Sequence, residues 1–339
     1  MPKAPLPCQR YGRVLRIPTP TGFAVGDINV YVILPEEGGG SPILIDTGVR
    51  TDAAWAALES GLGAHGFKVR DLELVLLTHA HPDHFGQAAR IRRAAGCEVW
   101  LHEDAGHSLA RFSADSLAGD RLEVARHHML AWGVPEQRAG DVRGSSDASA
   151  VVEPLEPDRW LSDGDQIDIP GFRLRTVHTP GHCPEQVVFV QDEQRLAFSG
   201  DHLLPDITPV CLIQFPDRVE DARKPSLLEY ERSLTKAEAL PLSLVFPSHG
   251  DVITDTPGLI ASYRHHIESR KRKIESELRE SALTAYGLAE ALFGRAVESQ
   301  LFLVMSEVVG HLDSLIAEGR VAERVRSGVR FFSCRDSEG

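Results

Sequence analysis

The chain has 339 residues, 42% hydrophobic and 25% charged, with 49 acidic against 36 basic side chains and a formal net charge of −13. That composition suits a soluble globular protein of more than one domain. The acid excess argues against a general nucleic-acid binder, and no apolar run approaches the ~20 residues that span a bilayer.

Residues 1–11 read as a flexible lead-in, because the Pro-rich start lacks a signal-peptide core. Residues 12–34 read as opening strands, with Gly38-Gly39-Gly40 as a loose turn. Ile43-Leu44-Ile45 is a short apolar strand running into Asp46-Thr47-Gly48, and residues 52–60 form an Ala-rich helix. Residues 72–77 read as a buried strand feeding Thr78-His79-Ala80-His81-Pro82-Asp83-His84. Three imidazoles and a carboxylate in so short a stretch need something to bind, because a core does not accept bare polar groups at that density. Extended backbone puts His79 and His81 on one face, and Pro82 suits the start of a helix that carries Asp83 and His84.

Residues 98–101 form a strand that delivers His102 to its end. Residues 104–150 break the strand–helix rhythm with a helix at 121–132 and a polar stretch, Arg143-Gly144-Ser145-Ser146-Asp147. They read as an insertion over the mouth of a site. Residues 161–166 read as a hairpin turn centred on Asp163-Gly164, so Asp163 and Asp165 are turn chemistry and not ligands. Three further apolar runs, 172–177, 196–198 and 243–246, end in turns carrying His182, Asp201-His202 and Ser248-His249. Polar groups gathered at the carboxyl ends of strands are where layered α/β folds build their sites.

Residues 263–279, 284–292 and 298–318 read as helices, and 321–332 as a hairpin around Ser327-Gly328. From Ala261 onward the acidic and basic residues balance, so the excess acid lies in the front part. The run Arg270-Lys271-Arg272-Lys273 reads as a solvated helix face. Scattered cysteines, five in number, make no disulfide framework and point to a reducing cytoplasm. Cys183, beside His182, and histidines 65, 127, 128, 265, 266 and 311 read as ordinary core or surface side chains.

His-X-His-X-Asp-His at 79–84, followed by Gly181-His182, Gly200-Asp201 and Ser248-His249-Gly250, resembles the metallo-β-lactamase-fold hydrolase superfamily over roughly residues 12–255. The resemblance implies an α/β fold, a four-layer αββα sandwich spanning residues 12–260. It implies that His79, His81 and His182 hold one divalent metal, that Asp83, His84 and His249 hold a second, and that Asp201 bridges them. Asp46 then supports the metal loop by hydrogen bonds. Zn²⁺ suits this all-N/O set, with Fe or Mn as alternatives. A hydroxide bridging two ions would attack an electrophilic carbonyl or phosphorus, with Asp201 and Asp83 as catalytic carboxylates and Asp83 or a second water serving proton transfer.

His81 stands where flavodiiron relatives carry Glu, and Asp201 where the commonest zinc β-lactamases carry Cys. Redox di-iron chemistry and antibiotic hydrolysis are therefore disfavoured. What remains resembles the glyoxalase-II-like group, implying a thioester of the acyl-CoA or acylglutathione type as a small-molecule substrate. An endoribonuclease or phosphodiesterase is the alternative, then a lactonase. His202, Arg218, Arg223 and Lys224 are candidate substrate contacts, the three cations for an anionic handle.

The tail, residues 261–339, resembles the winged-helix extension of one hydrolase branch. A non-catalytic DNA or protein adaptor is thus the reading from a different class. However, the recognition-helix candidate at 298–318 carries Glu307, Asp313 and Glu318 and no Lys or Arg. The tail is expected to pack on the catalytic domain, shape the substrate channel or support a homodimer, with neither nucleic acid nor membrane as partner. Filter binding at physiological salt should accordingly retain no RNA, and tight retention would overturn the charge argument.

Overall fold

Apolar runs become strands, and their period of two sets the layers. The computed structural model describes residues 6–36, 39–110, 118–141 and 148–335. One sheet takes seven strands in chain order: β1 (Gln9–Tyr11), β2 (Val14–Thr19), β3 (Ile28–Ile33), β4 (Ile43–Ile45), β5 (Leu74–Leu76), β6 (Glu98–His102) and β7 (Arg159–Leu161). Pairing is antiparallel from β1 to β4 and parallel from β4 to β7. The second sheet has the order β12-β11-β10-β9-β8, from β8 (Gln166–Ile167), β9 (Leu174–His178), β10 (Val187–Gln191), β11 (Leu196–Gly200) and β12 (Leu244–Pro247). Only β11 and β12 pair parallel there.

Alternate residues of the first sheet serve two different cores. Leu15, Ile17, Val30, Val32, Leu44 and Val75 pack under α1 (Asp52–Gly63) and, beyond α2 (Pro82–Phe85), under α3 (Ala88–Ala95). Val14, Tyr31, Ile33, Ile45 and Leu76 instead meet Phe189, Phe198 and Phe246 of the second sheet. After α4 (Gly106–Ala110) and α5 (Ala118–Ala131) come α6 (Ser226–Glu238) and α7 (Thr256–Glu280). These two cover the outer face of the second sheet with Tyr230, Leu234, Ile260 and Tyr263. Helix, sheet, sheet, helix is the four-layer sandwich expected. Among the described residues no helix is long and apolar enough to cross a membrane.

Four expectations are corrected in detail. Gln9–Tyr11, inside the stretch that reads as lead-in, is strand β1, because it pairs with β2 at the sheet edge. Asp163-Gly164 makes a turn but not a hairpin: β7 before it and β8 after it belong to different sheets. The Asp163 carboxylate accepts from the His178 amide, and that of Asp165 accepts from the Ser162 amide, which stabilises a crossing between layers. Residues 104–150 lie over the site only in part: Ser108 lines the cavity there, but the helix of the stretch packs elsewhere. α5 and the chain after it send Met129, Trp132 and Val134 into the core of the tail. Arg143 to Asp147 and Gly38 lie outside the described residues.

The tail continues from α7, which runs unbroken through Ala261, into α8 (Ala285–Phe293), α9 (Ala296–Ser299), α10 (Leu301–Ala317) and the hairpin β13 (Val321–Arg326) and β14 (Val329–Cys334). Ser327 and Gly328 both take positive φ, as a two-residue hairpin turn requires. The recognition-helix candidate, which its lack of Lys or Arg argued against as a DNA reader, becomes α10, the most buried helix of the tail. Val304, Met305, Val308, Val309, Leu312 and Leu315 of α10 fill the tail's core. Its other side meets the hydrolase layers, where the Ser306 hydroxyl accepts from the Ile213 amide at 3.1 Å. Gly310 lies so near α6 that an added Cβ would come within 3.1 Å of the Leu227 Cβ.

The fourth correction is electrostatic. Only one residue in a short helical run can face a core, and in Arg270-Lys271-Arg272-Lys273 it is Lys271. Its side chain is 2% exposed, with Nζ 2.7 Å from Glu231 of α6 and 2.6 Å from Glu318 beyond α10. Ser314 Oγ donates to Glu231 at 2.6 Å, and Arg320 bonds Glu268, Glu275 and Glu318. The network clamps the tail to the hydrolase layers. Lys271→Ala should destabilise the protein by about 3 kcal/mol in denaturant unfolding, the low end for breaking a buried pair because both glutamates keep some solvent. A loss below about 1 kcal/mol would show the clamp to be dispensable.

Candidate metal centre

Parallel pairing places the ends of β4, β5 and β6 along one edge, delivering Asp46, Thr78-His79 and His102. In the second sheet β9, β11 and β12 run one way and deliver His182, Asp201 and His249 to the same seam. α2 begins immediately after His81, with Pro82 opening it, and its first turn presents Asp83 and His84. Two backbone details aim these groups. Asp46 holds a φ of 57°, a left-handed conformation that costs energy for a residue with a Cβ. Gly200 follows a bulge in β11 at a φ of 52°, and any Cβ there would sit 2.6 Å from Gln186 Nε2 and 2.7 Å from Thr78 Oγ1.

The side chains form two groups. His79, His81, His182 and Asp201 make one, and Asp83, His84 and His249 the other, with donor atoms inside each group within 4.8 Å of one another. Asp201 reaches both. Its Oδ2 is 3.3 Å from His182 Nε2, and its Oδ1 is 3.4 Å from His84 Nε2 and 3.9 Å from His249 Nε2. Asp83 Oδ2 lies 3.4 Å from His249 Nε2. Ser248 Oγ donates to Asp201 Oδ1 and steadies the carboxylate.

Each imidazole but His81 is tied from behind through Nδ1. His84 donates to Asp46 Oδ2 at 2.9 Å, His182 to the Val210 carbonyl at 2.8 Å and His249 to the Asp27 carbonyl at 2.8 Å. His79 Nδ1 is 3.1 Å from Thr78 Oγ1, which itself donates to Asp46 Oδ2. These partners select the tautomer that leaves Nε2 with a lone pair facing inward. Nε2 of His79, His84 and His249 is buried and lacks a hydrogen-bond partner among the described residues. His81 turns its Nδ1 to within 2.9 Å of His182 Nε2, two nitrogens brought together as ligands of one ion would be.

Electrostatics agree with a bound cation. Burial, reinforced by neighbouring histidines, pushes His79 well below the usual imidazole range and His81 down to about 3, so both are neutral and available as ligands. Burial disfavours charge on Asp201 too, but His84, His182 and His249 outweigh it and hold the carboxyl well below the usual range. For His84, burial is outweighed by Asp46, Asp201 and Asp83, which favour positive charge at that spot. Neutral imidazoles tied from behind, ionised carboxylates and orphaned inward lone pairs fit divalent metal ions.

The remaining candidates fall elsewhere. His202 is fully buried beneath Tyr230, ring centroids 5.3 Å apart, and lines no part of the cavity above the cluster. Arg218 is exposed and bonds Asp221, while Arg223 pairs with Asp313 at 2.5 Å beneath the Trp132 ring. Lys224 lies 3.9 Å from Asp104, beside the stacked rings of His102 and His178. None of the three lines the cavity, because acidic neighbours claim them first. Of the groups that hold these side chains, sequence reasoning named Asp46 and passed over the rest. Thr78 and Ser248 were legible as hydroxyls next to ligands. The carbonyls of Asp27 and Val210, and the Glu185 carboxylate that accepts from the Ala80 amide, leave no signature in a string of residues.

The cavity over the cluster measures about 500 Å³, with His81, Asp83, His182, Asp201 and His249 at its base. Residues 24–249 match the family described as the metallo-beta-lactamase superfamily. A probable metallo-hydrolase of Bacillus subtilis (strain 168) is 30% identical over 325 residues, covering 94% of this chain and 97% of its own. An atrochrysone carboxyl ACP thioesterase of Aspergillus chevalieri is 30% identical over 190 residues, 52% of this chain and 56% of its own. A metallo-beta-lactamase family protein of Thermus thermophilus superposes with a TM-score of 0.79 at 26% identity, covering 96% of this chain and 99% of that one. The chain belongs to the metallo-beta-lactamase superfamily and is a metallo-hydrolase of that family.

Proposed function

We propose that the chain hydrolyses thioesters with a pair of divalent ions, Zn²⁺ first among them, held by His79, His81, His182, Asp83, His84, His249 and the shared Asp201. The observation that carries the pair is the division of Asp201, one oxygen toward His182 and the other toward His84 and His249. Two bound ions would supply a water of lowered pKa and a cationic contact for the oxyanion. The protein's part is to hold the base of the site rigid. Asp46 accepts from His84, from the Thr78 hydroxyl and from the Thr78 amide, and so fixes two imidazoles and the loop between them. Asp83 lines the cavity. Burial raises its carboxyl, but His84 and His249 outweigh this and keep it ionised, ready to take or return a proton at its carboxylate oxygen.

The thioesterase relative supports the carbonyl substrate. A cavity lining without Lys or Arg among the described residues speaks against RNA, whose phosphates would need cations. None of the five cysteines forms a disulfide among the described residues, which supports a cytoplasmic setting.

A panel of acyl-CoA, acylglutathione, a lactone, bis-p-nitrophenyl phosphate and a short RNA tests the substrate class. Thioester cleavage abolished by chelation and restored by Zn²⁺ is expected, and cleavage of RNA or the diester alone would overturn the proposal. Asp201→Ala should abolish turnover while leaving the fold intact, and normal turnover would contradict a shared carboxylate. Asp46→Asn should weaken metal binding by about 10–100-fold in a competitive titration. Unchanged affinity would reduce Asp46 to a backbone-shaping role.

A further inference from the structure

We infer that the cavity holds the acyl portion of the thioester as an extended apolar chain, and that the tail sets the chain length accepted. This rests on the thioester hydrolase proposed above.

Large apolar side chains left in solvent are scarce in the described residues, and three of them share this cavity. Val25 is 43% exposed, Ile207 48% and Leu303 42%, and all three line it. They come from distant parts of the chain: the β2–β3 loop, the loop after β11 and the first turn of α10. Apolar surface gathered from three segments around one opening marks a ligand site and not scattered exposure. Leu212, Ile213 and Phe302 add further apolar lining to the same cavity.

The chemistry of the lining narrows the ligand. Among the described residues, Ser108, Thr208, Cys183 and Gln214 are the polar lining groups besides the metal ligands, and none carries a fixed positive charge. A carboxylate or phosphate at the far end of the acyl chain, away from the metal ligands, would lose water and meet no cationic side chain among the described lining residues, a large penalty. Arg223 and Lys224 face Asp313 and Asp104 outside the cavity. A volume of about 500 Å³ lies within the range of small-molecule sites and far exceeds the need of an acetyl group.

The wall is preformed. Val304 and Met305 anchor α10 in the tail core while Phe302 and Leu303, just before them, line the cavity. Ser306 accepts from the Ile213 amide, pinning the neighbouring loop to the same turn. The tail therefore contributes to specificity directly. Water adds to the acyl carbonyl, the C–S bond breaks, and the fatty acid and the protonated thiol leave.

Calorimetry on the metal-loaded protein with ketone isosteres of decanoyl- and acetyl-pantetheine tests the inference without turnover. The decanoyl ligand should bind about 100-fold more tightly, the effect of burying roughly three or four of its extra methylenes, and with a negative heat-capacity change. Leu303→Gln and Ile207→Gln, both at partly exposed positions, should each shrink that ratio about fivefold or more. Equal binding of the two ligands, or a ratio unmoved by either variant, would overturn it. If the decanoyl preference stands while no thioester is cleaved, only the proposed reaction fails. If acetyl and decanoyl thioesters are cleaved with equal kcat/KM and their isosteres bind equally, only the acyl inference fails.

Discussion

One buried carboxylate, Asp201, faces two sets of imidazoles at once, and most of the architecture serves that meeting. Removed from water, such groups cannot stay charged singly or neutral together without cost. The three histidines near Asp201 keep it ionised, while burial keeps His79 and His81 uncharged. The balance requires two sheets to end at a common seam, with the parallel strands β4, β5 and β6 on one side and β11 with β12 on the other. It also requires a bulge in β11 that only Gly200 can follow, and an Asp46 held in a left-handed conformation. Strain and tight contacts are concentrated where the chemistry is.

A second set of buried charges governs the other end of the molecule. Lys271 between Glu231 and Glu318 joins α7, α6 and the end of α10. Packing around Gly310 and Ser306 brings the same helix against the hydrolase layers. The charge clamp fixes α10, and α10 fixes one wall of the cavity. Stability and specificity are thus coupled through a single helix.

The cluster of histidines and aspartates was legible because its signal is local and chemical. Histidines and aspartates at strand ends have few other uses at that density, and the strand periods that deliver them are short. The layering came only with the resemblance that this cluster carries; the alternation of β2, β3 and β4 between two cores emerges once the strands are paired. What the chain hid was relational. Asp163-Gly164 carries the residues of a hairpin turn, and only the pairing of β8 with β9 reveals a crossing between sheets. A run of four cations looks solvated until the helix turns one of them inward. Arg218, Arg223 and Lys224 were near the site in sequence, yet Asp221, Asp313 and Asp104 compete for them. The convergence of Val25, Ile207 and Leu303 spans most of the chain and has no motif at all.

The most direct measurement is elemental analysis of the purified chain after reconstitution and exhaustive dialysis, expressed as metal per polypeptide. A carboxylate shared between two sets of imidazoles predicts about two equivalents of a divalent ion retained, since structural and catalytic sites of this donor chemistry bind tightly at neutral pH. Retention of no metal, or of a single equivalent under every loading condition, would contradict a dinuclear centre built on Asp201.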